Sequence, residues 1–176
     1  MHKDLTEILI TKQKIEERIK ELASEITRDY QGKDVFLIGI LKGCFIFLSD
    51  LVKNLKINVN IDFMMVSSYE GKQSSGVVRI LLDLKQPIEG KDVIIVEDIV
   101  DTGLTINYLM KTLKARKPKS IEVCTLLNKP SCRKVHVNLK YIGFDIPDKF
   151  VVGYGLDYNE YYRNLPCIGV LKDEVI

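Results

Sequence analysis

Residues 93–105 read VIIVEDIVDTGLT. The first four, Val93 to Val96, are apolar and β-branched, the pattern of a strand buried on both faces. Two carboxylates, Glu97 and Asp98, stand where that strand is expected to end, and Asp101-Thr102-Gly103-Leu104-Thr105 opens a helical pattern. In an open α/β sheet, the crevice beyond the carboxyl ends of the strands is where ligands bind. A turn from strand to helix there offers free amides and the positive end of a helix dipole to an anion. Gly103 lets the backbone approach closely, and the hydroxyls of Thr102 and Thr105 add donors. A site for phosphate alone is ill served by carboxylates, because like charges repel. A ligand that joins a phosphate, a polyol and a metal uses all of these groups, which describes a sugar phosphate with Mg²⁺.

The chain is 176 residues long, 46% hydrophobic and 28% charged, which suits one domain with a sizeable core. A net charge of +2 gives no electrostatic reason to expect nucleic acid. No apolar run approaches the ~20 residues of a membrane span. The first 22 residues carry charges throughout, unlike a signal peptide or an anchor. Cys44, Cys124, Cys132 and Cys167 are scattered without zinc spacing, and neutral thiols in a cytoplasmic protein are expected.

Outward from the central stretch, Ile8, Ile15, Ile19, Leu22 and Ile26 predict an amphipathic helix over residues 4–30. Val35 to Ile40 reads as a buried strand, Leu41-Lys42-Gly43-Cys44 as a turn, and Phe45 to Leu55 as a helix. This is a second strand–turn–helix whose amides suit a phosphate. Ile57 to Val66 reads as a strand, Ser67 to Gly76 as a mobile polar loop suited to a lid, and Val77 to Leu84 as a hairpin return. A helix from Gly103 to Arg116 is expected next, its basic last turns favoured by the dipole. Strands follow at Ile121 to Leu127, Tyr141 to Phe144 and Ile168 to Leu171, with a basic loop at 131–140. The alternation predicts an α/β fold, a mostly parallel sheet with helices on both faces.

The central run resembles the 5-phosphoribosyl 1-diphosphate signature of type I phosphoribosyltransferases. FDIPDKFVVGYGLDYNEYYRNLP at 144–166 is similar to the base-binding segment of hypoxanthine-guanine phosphoribosyltransferases. LKG at 41–43, SSY at 67–69 and LLNK at 126–129 match further landmarks of that family in order. The resemblance implies a single domain over 1–176, with a core at about 30–140. A small hood subdomain would come from the N-terminal segment and about 141–176. It implies Mg²⁺-dependent transfer of phosphoribosyl from the diphosphate to N9 of hypoxanthine or guanine, giving IMP or GMP, with two ions during turnover.

By the same resemblance, Glu97 and Asp98 meet the ribose hydroxyls and a Mg²⁺, and Asp157 anchors a second ion. Asp101, Thr102, Gly103, Leu104 and Thr105 cradle the 5′-phosphate, and Asp101 faces purine N7 as general base. Leu41, Lys42, Gly43 and Arg163 bind pyrophosphate. Lys129 donates to the 6-oxo oxygen, Phe150 stacks on the purine, Ile99 covers its other face and the Val151 carbonyl meets the 2-amino group. Asp157 borders that site. Ser67, Ser68 and Tyr69 belong to the mobile loop. A homodimer or homotetramer is implied, with no nucleic-acid or membrane partner. The competing reading is a regulator of this fold that binds RNA or DNA; a basic face without a base pocket would mark it. Within the enzyme class, preference for xanthine or adenine is the alternative.

Overall fold

The computed structural model describes residues 3–68 and 78–176. Its main sheet has six strands: β2 (Val35–Leu41), β3 (Val59–Ser68), β4 (Val78–Leu82), β5 (Asp92–Val100), β6 (Ser120–Asn128) and β7 (Tyr141–Asp145), ordered β4-β3-β2-β5-β6-β7. All neighbours are parallel except β4, an antiparallel edge. The predicted α/β class holds.

Side chains alternate across this sheet as a two-residue period requires. Val35, Leu37, Ile94 and Val96 pack on one face with helices α1 (Lys12–Asp29) and α2 (Phe45–Asn54). Phe36, Ile38, Val93 and Ile95 pack on the other with Ile106, Leu109 and Leu113 of α3 (Leu104–Lys114). The helices after β2 and β5 therefore leave on opposite faces, so a crevice opens between the ends of these two strands, the usual ligand position in such sheets.

A second sheet of three strands, ordered β1-β9-β8, joins β1 (Leu5–Ile10) to β9 (Ile168–Leu171) and β8 (Val151–Val152). The helix expected over 4–30 is thus divided. Leu5 to Ile10 pairs antiparallel with β9, and two irregularities in that pairing bury both Leu5 and Ile10. Thr11 accepts from Lys14 N at 3.4 Å and caps α1, which starts only at Lys12. Ile8, read as part of the helix face, is 41% exposed. Tyr141 to Asp145 lies in the large sheet, so the later chain joins the small sheet only from Val151. Among the described residues no helix is long and apolar enough to cross a membrane.

Tyr141 Oη donates to Asp29 Oδ2 at 2.8 Å and ties β7 to the end of α1. This bond, with Lys140 nearby, holds the Asp29 carboxyl below its ordinary pKa despite some desolvation. A depressed folded pKa stabilises the fold above the unfolded carboxylate pKa, and that contribution disappears as pH falls through the folded value. Asp29→Asn is expected to lower the urea midpoint at pH 7. The gap from the parent should close below about pH 4. Urea titrations at several pH values check this.

Candidate active site

β5 reaches further than the sequence pattern suggests, because Glu97, Ile99 and Val100 keep pairing with Thr125, Leu127 and Asn128 of β6. Its pairing with β2 stops at Gly39↔Val96. Glu97 and Asp98 therefore sit within the strand, on the stretch that has lost its β2 neighbour and borders the crevice. Glu97 is buried, and desolvation together with neighbouring Asp98 raises its pKa well above the carboxylate range. Asp98 is raised too, by burial first, against the amide of Ile99, which donates to Oδ1 at 2.9 Å.

Two cavities meet here. One, about 280 Å³, is lined by Asp98, Ile99, Asp101, Lys129, Phe150, Val151, Leu156 and Asp157. It brings together every residue expected to touch a purine. The other, about 420 Å³, is lined by residues that include Leu41, Lys42, Gly43, Glu97, Asp98, Thr105 and Arg163. Asp98, Ile99 and Asp157 line both, so a ligand can run from one cavity to the other past these three. Thr102, Gly103 and Leu104 form the turn beside them without lining either. In that turn Gly103 has φ +82°, a left-handed backbone that favours glycine, and Leu104 N donates to Thr102 Oγ1 at 3.4 Å.

The walls are charged in a definite order. Lys129 is buried, with Nζ 3.6 Å from the exposed carboxylate of Asp148. Phe150 is 43% exposed and braced edge-on by Tyr158, with ring centroids 5.6 Å apart, so its face is available for stacking. Arg163 pairs with Asp157 at 2.8 Å and donates to the Gly155 carbonyl at 2.8 Å. Its Nε is buried with no partner among the described residues. Lys42 pairs with Glu160 at 3.0 Å. Two cations at one end, with Glu160 and Asp157 as their present partners, suit an anion that would share or displace those carboxylates.

The turn at 41–44 packs tightly against its surroundings. The Leu41–Lys42 peptide is cis. A Cβ on Gly43 would lie 1.6 Å from Asp98 Oδ2, and one on Gly155 would lie 2.0 Å from the Gly43 carbonyl oxygen. Cys44 is buried in ordinary right-handed helical backbone, a conformation that needs no glycine, and burial pushes its thiol pKa up.

Ser67 and Ser68 continue β3, opposite Arg79 and Val78, rather than opening a loop at residue 67. Tyr69 and the remainder of the expected mobile loop lie outside the described residues. Sequence reasoning missed Leu156, Val66 and Ile40 as cavity walls. Leu156 is an apolar residue inside an otherwise polar GLDYNE run, a signal that could have marked it. Glu160 and Arg133 carried no such signal.

Among the described residues no three His, Cys, Asp or Glu side chains converge on a point. The donor set still suits Mg²⁺, which commonly takes one or two carboxylates and completes its shell with water and substrate phosphate. Glu97 and Asp98 supply adjacent hard oxygens at the edge of the cavity that Lys42 and Arg163 also line. Both oxygens of Asp157 are already engaged, one by Arg163 and the other by the Glu160 amide at 2.9 Å.

Comparison with known proteins completes the picture. The phosphoribosyl transferase domain model matches residues 6–159. The chain is 53% identical to the hypoxanthine-guanine phosphoribosyltransferase of Staphylococcus aureus, covering 99% of this chain and 98% of that protein. A crystal structure of a hypoxanthine phosphoribosyltransferase from Staphylococcus aureus superposes with a TM-score of 0.96 at 53% identity, covering 99% and 96% of the two chains. The hypoxanthine phosphoribosyl transferase of Trypanosoma cruzi superposes with a TM-score of 0.94 at 43% identity, covering 99% and 95%.

Proposed function

The chain belongs to the hypoxanthine-guanine phosphoribosyltransferase family, and from that premise we propose the reaction it performs. The phosphoribosyl group of 5-phosphoribosyl 1-diphosphate passes to N9 of hypoxanthine or guanine, giving IMP or GMP and pyrophosphate. The observation that carries this reading is the pair of cavities joined at Asp98, Ile99 and Asp157, one bringing Lys129 together with Phe150, Val151 and Ile99, the other bringing Lys42 and Arg163 opposite Glu97 and Asp98.

In this reading the purine lies between Phe150 and Ile99, with Lys129 donating to the 6-oxo oxygen. An ammonium there disfavours adenine, whose 6-amino group would meet it donor against donor. The Val151 carbonyl accepts from the 2-amino group of guanine. Residues 101–105 hold the 5′-phosphate with their amides and hydroxyls. Glu97 and Asp98 take the ribose hydroxyls and are the carboxylates that would hold Mg²⁺, which would supply charge neutralisation to the diphosphate. Asp157 could serve a second ion only by giving up its bond to Arg163 or to the Glu160 amide.

The bond from C1′ to the diphosphate oxygen breaks ahead of bond formation, so the ribosyl ring becomes oxocarbenium-like. Arg163, with the amides of Lys42 and Gly43, receives the charge gathering on the leaving group. Asp101 takes the purine proton at N7 as N9 bonds to C1′. The small sheet, which carries Val151 on β8, serves as a hood over the base. A homodimer or homotetramer in the cytoplasm is the proposed working form. The exposed apolar side chains Ile61, Leu81 and Leu82 on the β3–β4 hairpin offer a surface for association.

Lys129→Gln tests the base assignment. Hypoxanthine kcat/KM is expected to fall roughly 10–100-fold, because a buried charged hydrogen bond is lost, while adenine is penalised less. Pyrophosphate release with each base measures both. An unchanged ratio of hypoxanthine to adenine would remove Lys129 from the recognition of the 6-position.

A further inference from the structure

Behind the Asp101–Gly103 turn lies a set of contacts for which the proposed reaction has assigned no purpose. Arg133 Nη1 donates to the Asp101 carbonyl at 2.9 Å, and Nη2 donates to Asn128 Oδ1. Asn128 Nδ2 donates in turn to Asp145 Oδ1 at 2.7 Å, and Asn128 itself is buried. The main chain reinforces the same junction. Lys134 N and Val135 N donate to the Thr102 carbonyl at 3.0 and 3.3 Å, and Lys129 N donates to the Val100 carbonyl at 2.9 Å. A Cβ on Gly103 would lie 3.1 Å from Arg133 Cδ, so guanidinium stem and turn are in close contact.

One guanidinium thus joins the turn that carries Asp101 to the strand end that carries Lys129. Both residues line the same cavity. On an oxopurine, N7 and the 6-oxo oxygen are neighbours on one edge of the ring. A proton acceptor for the first and a donor for the second must therefore keep a fixed separation. We propose that Arg133, clamped to Asn128, is a brace that sets this separation and acts as a positioning residue for Asp101. The inference rests on the proposed roles of Asp101 and Lys129. The chemistry suits arginine in particular. Its planar fork reaches two acceptors at once, whereas lysine is a single compact charge on a flexible stem.

The experiment is a cycle of Arg133→Lys and Asp101→Asn, singly and together, with Arg133→Ala alongside. Steady-state kcat, KM for the diphosphate substrate and thermal unfolding are measured for each. R133K is expected to fold like the parent and to lower kcat roughly 10–100-fold, the effect of a reacting group misplaced by about 1 Å. KM for the diphosphate should stay within about twofold. In the D101N background, R133K should change kcat by less than about threefold, because the group it positions is already disabled. Equal penalties in the two backgrounds overturn the brace and leave the Asp101 assignment standing. Parent-like kcat in R133K overturns it as well. Parent-like turnover in D101N alone overturns the Asp101 assignment, and the brace with it.

Discussion

Asp101→Asn is expected to cut turnover by roughly 10²–10⁴ while KM for either substrate hardly moves. The reasoning starts from position. Asp101 lines the cavity that holds Lys129 and Phe150 but not the one that holds Lys42 and Arg163, which in the proposed reaction puts it on the side of the base rather than of the leaving group. Asparagine has nearly the same shape and keeps the backbone carbonyl that Arg133 grips. What it loses is the capacity to accept a proton. An interaction made only as charge moves into the ring lowers kcat and kcat/KM together when it is removed. Initial rates at saturating and limiting base separate this from a binding defect. A variant with raised KM and unchanged kcat would make Asp101 a ground-state contact only.

The second large effect is expected at Gly43. An alanine there would place Cβ 1.6 Å from Asp98 Oδ2 and 2.4 Å from its Cγ. Asp98 is a short side chain whose other oxygen is held by the Ile99 amide, so the carboxylate must leave its place. It borders both cavities, so its displacement would disturb the ribose and metal binding proposed for it. Gly43→Ala should therefore fold, with a circular dichroism spectrum like the parent's. Its kcat/KM for the diphosphate substrate should fall by roughly 10²-fold, the scale set by small misplacements at a reacting centre. The two measurements together distinguish this from general destabilisation. A variant with parent-like kcat/KM would show that the packing of Gly43 on Asp98 is dispensable.

Much of this was legible in residues 93–105, for a physical reason. A strand buried on both faces must be continuously apolar, so Val93 to Val96 announced a central strand, and the acid pair after it marked the end where the sheet opens. The end of that strand was misplaced because pairing with β6 continues through Val100, and backbone pairing leaves no trace in side-chain polarity. The N-terminal segment failed differently. LTEILI has enough apolar residues to extend a helical stripe, and only its antiparallel partner at 168–171, far away in sequence, turns it into a strand. The cavity proposed for the base was anticipated only through the likeness of residues 144–166 to a family, since nothing in the composition of FVVGYGLDY distinguishes such a wall from a core segment. Arg133 was invisible on both counts. It lies in a basic loop, and its partners are Asn128, five residues before it, and the main-chain carbonyl of Asp101, 32 residues away, a contact that no side-chain pattern marks.

The most direct measurement is the initial rate of pyrophosphate release when hypoxanthine, guanine, xanthine and adenine are each mixed with 5-phosphoribosyl 1-diphosphate, Mg²⁺ and the protein. The buried ammonium of Lys129 beside the Phe150 platform predicts rapid release with hypoxanthine or guanine, and little with adenine. Release confined to adenine, or none with any base, would contradict it.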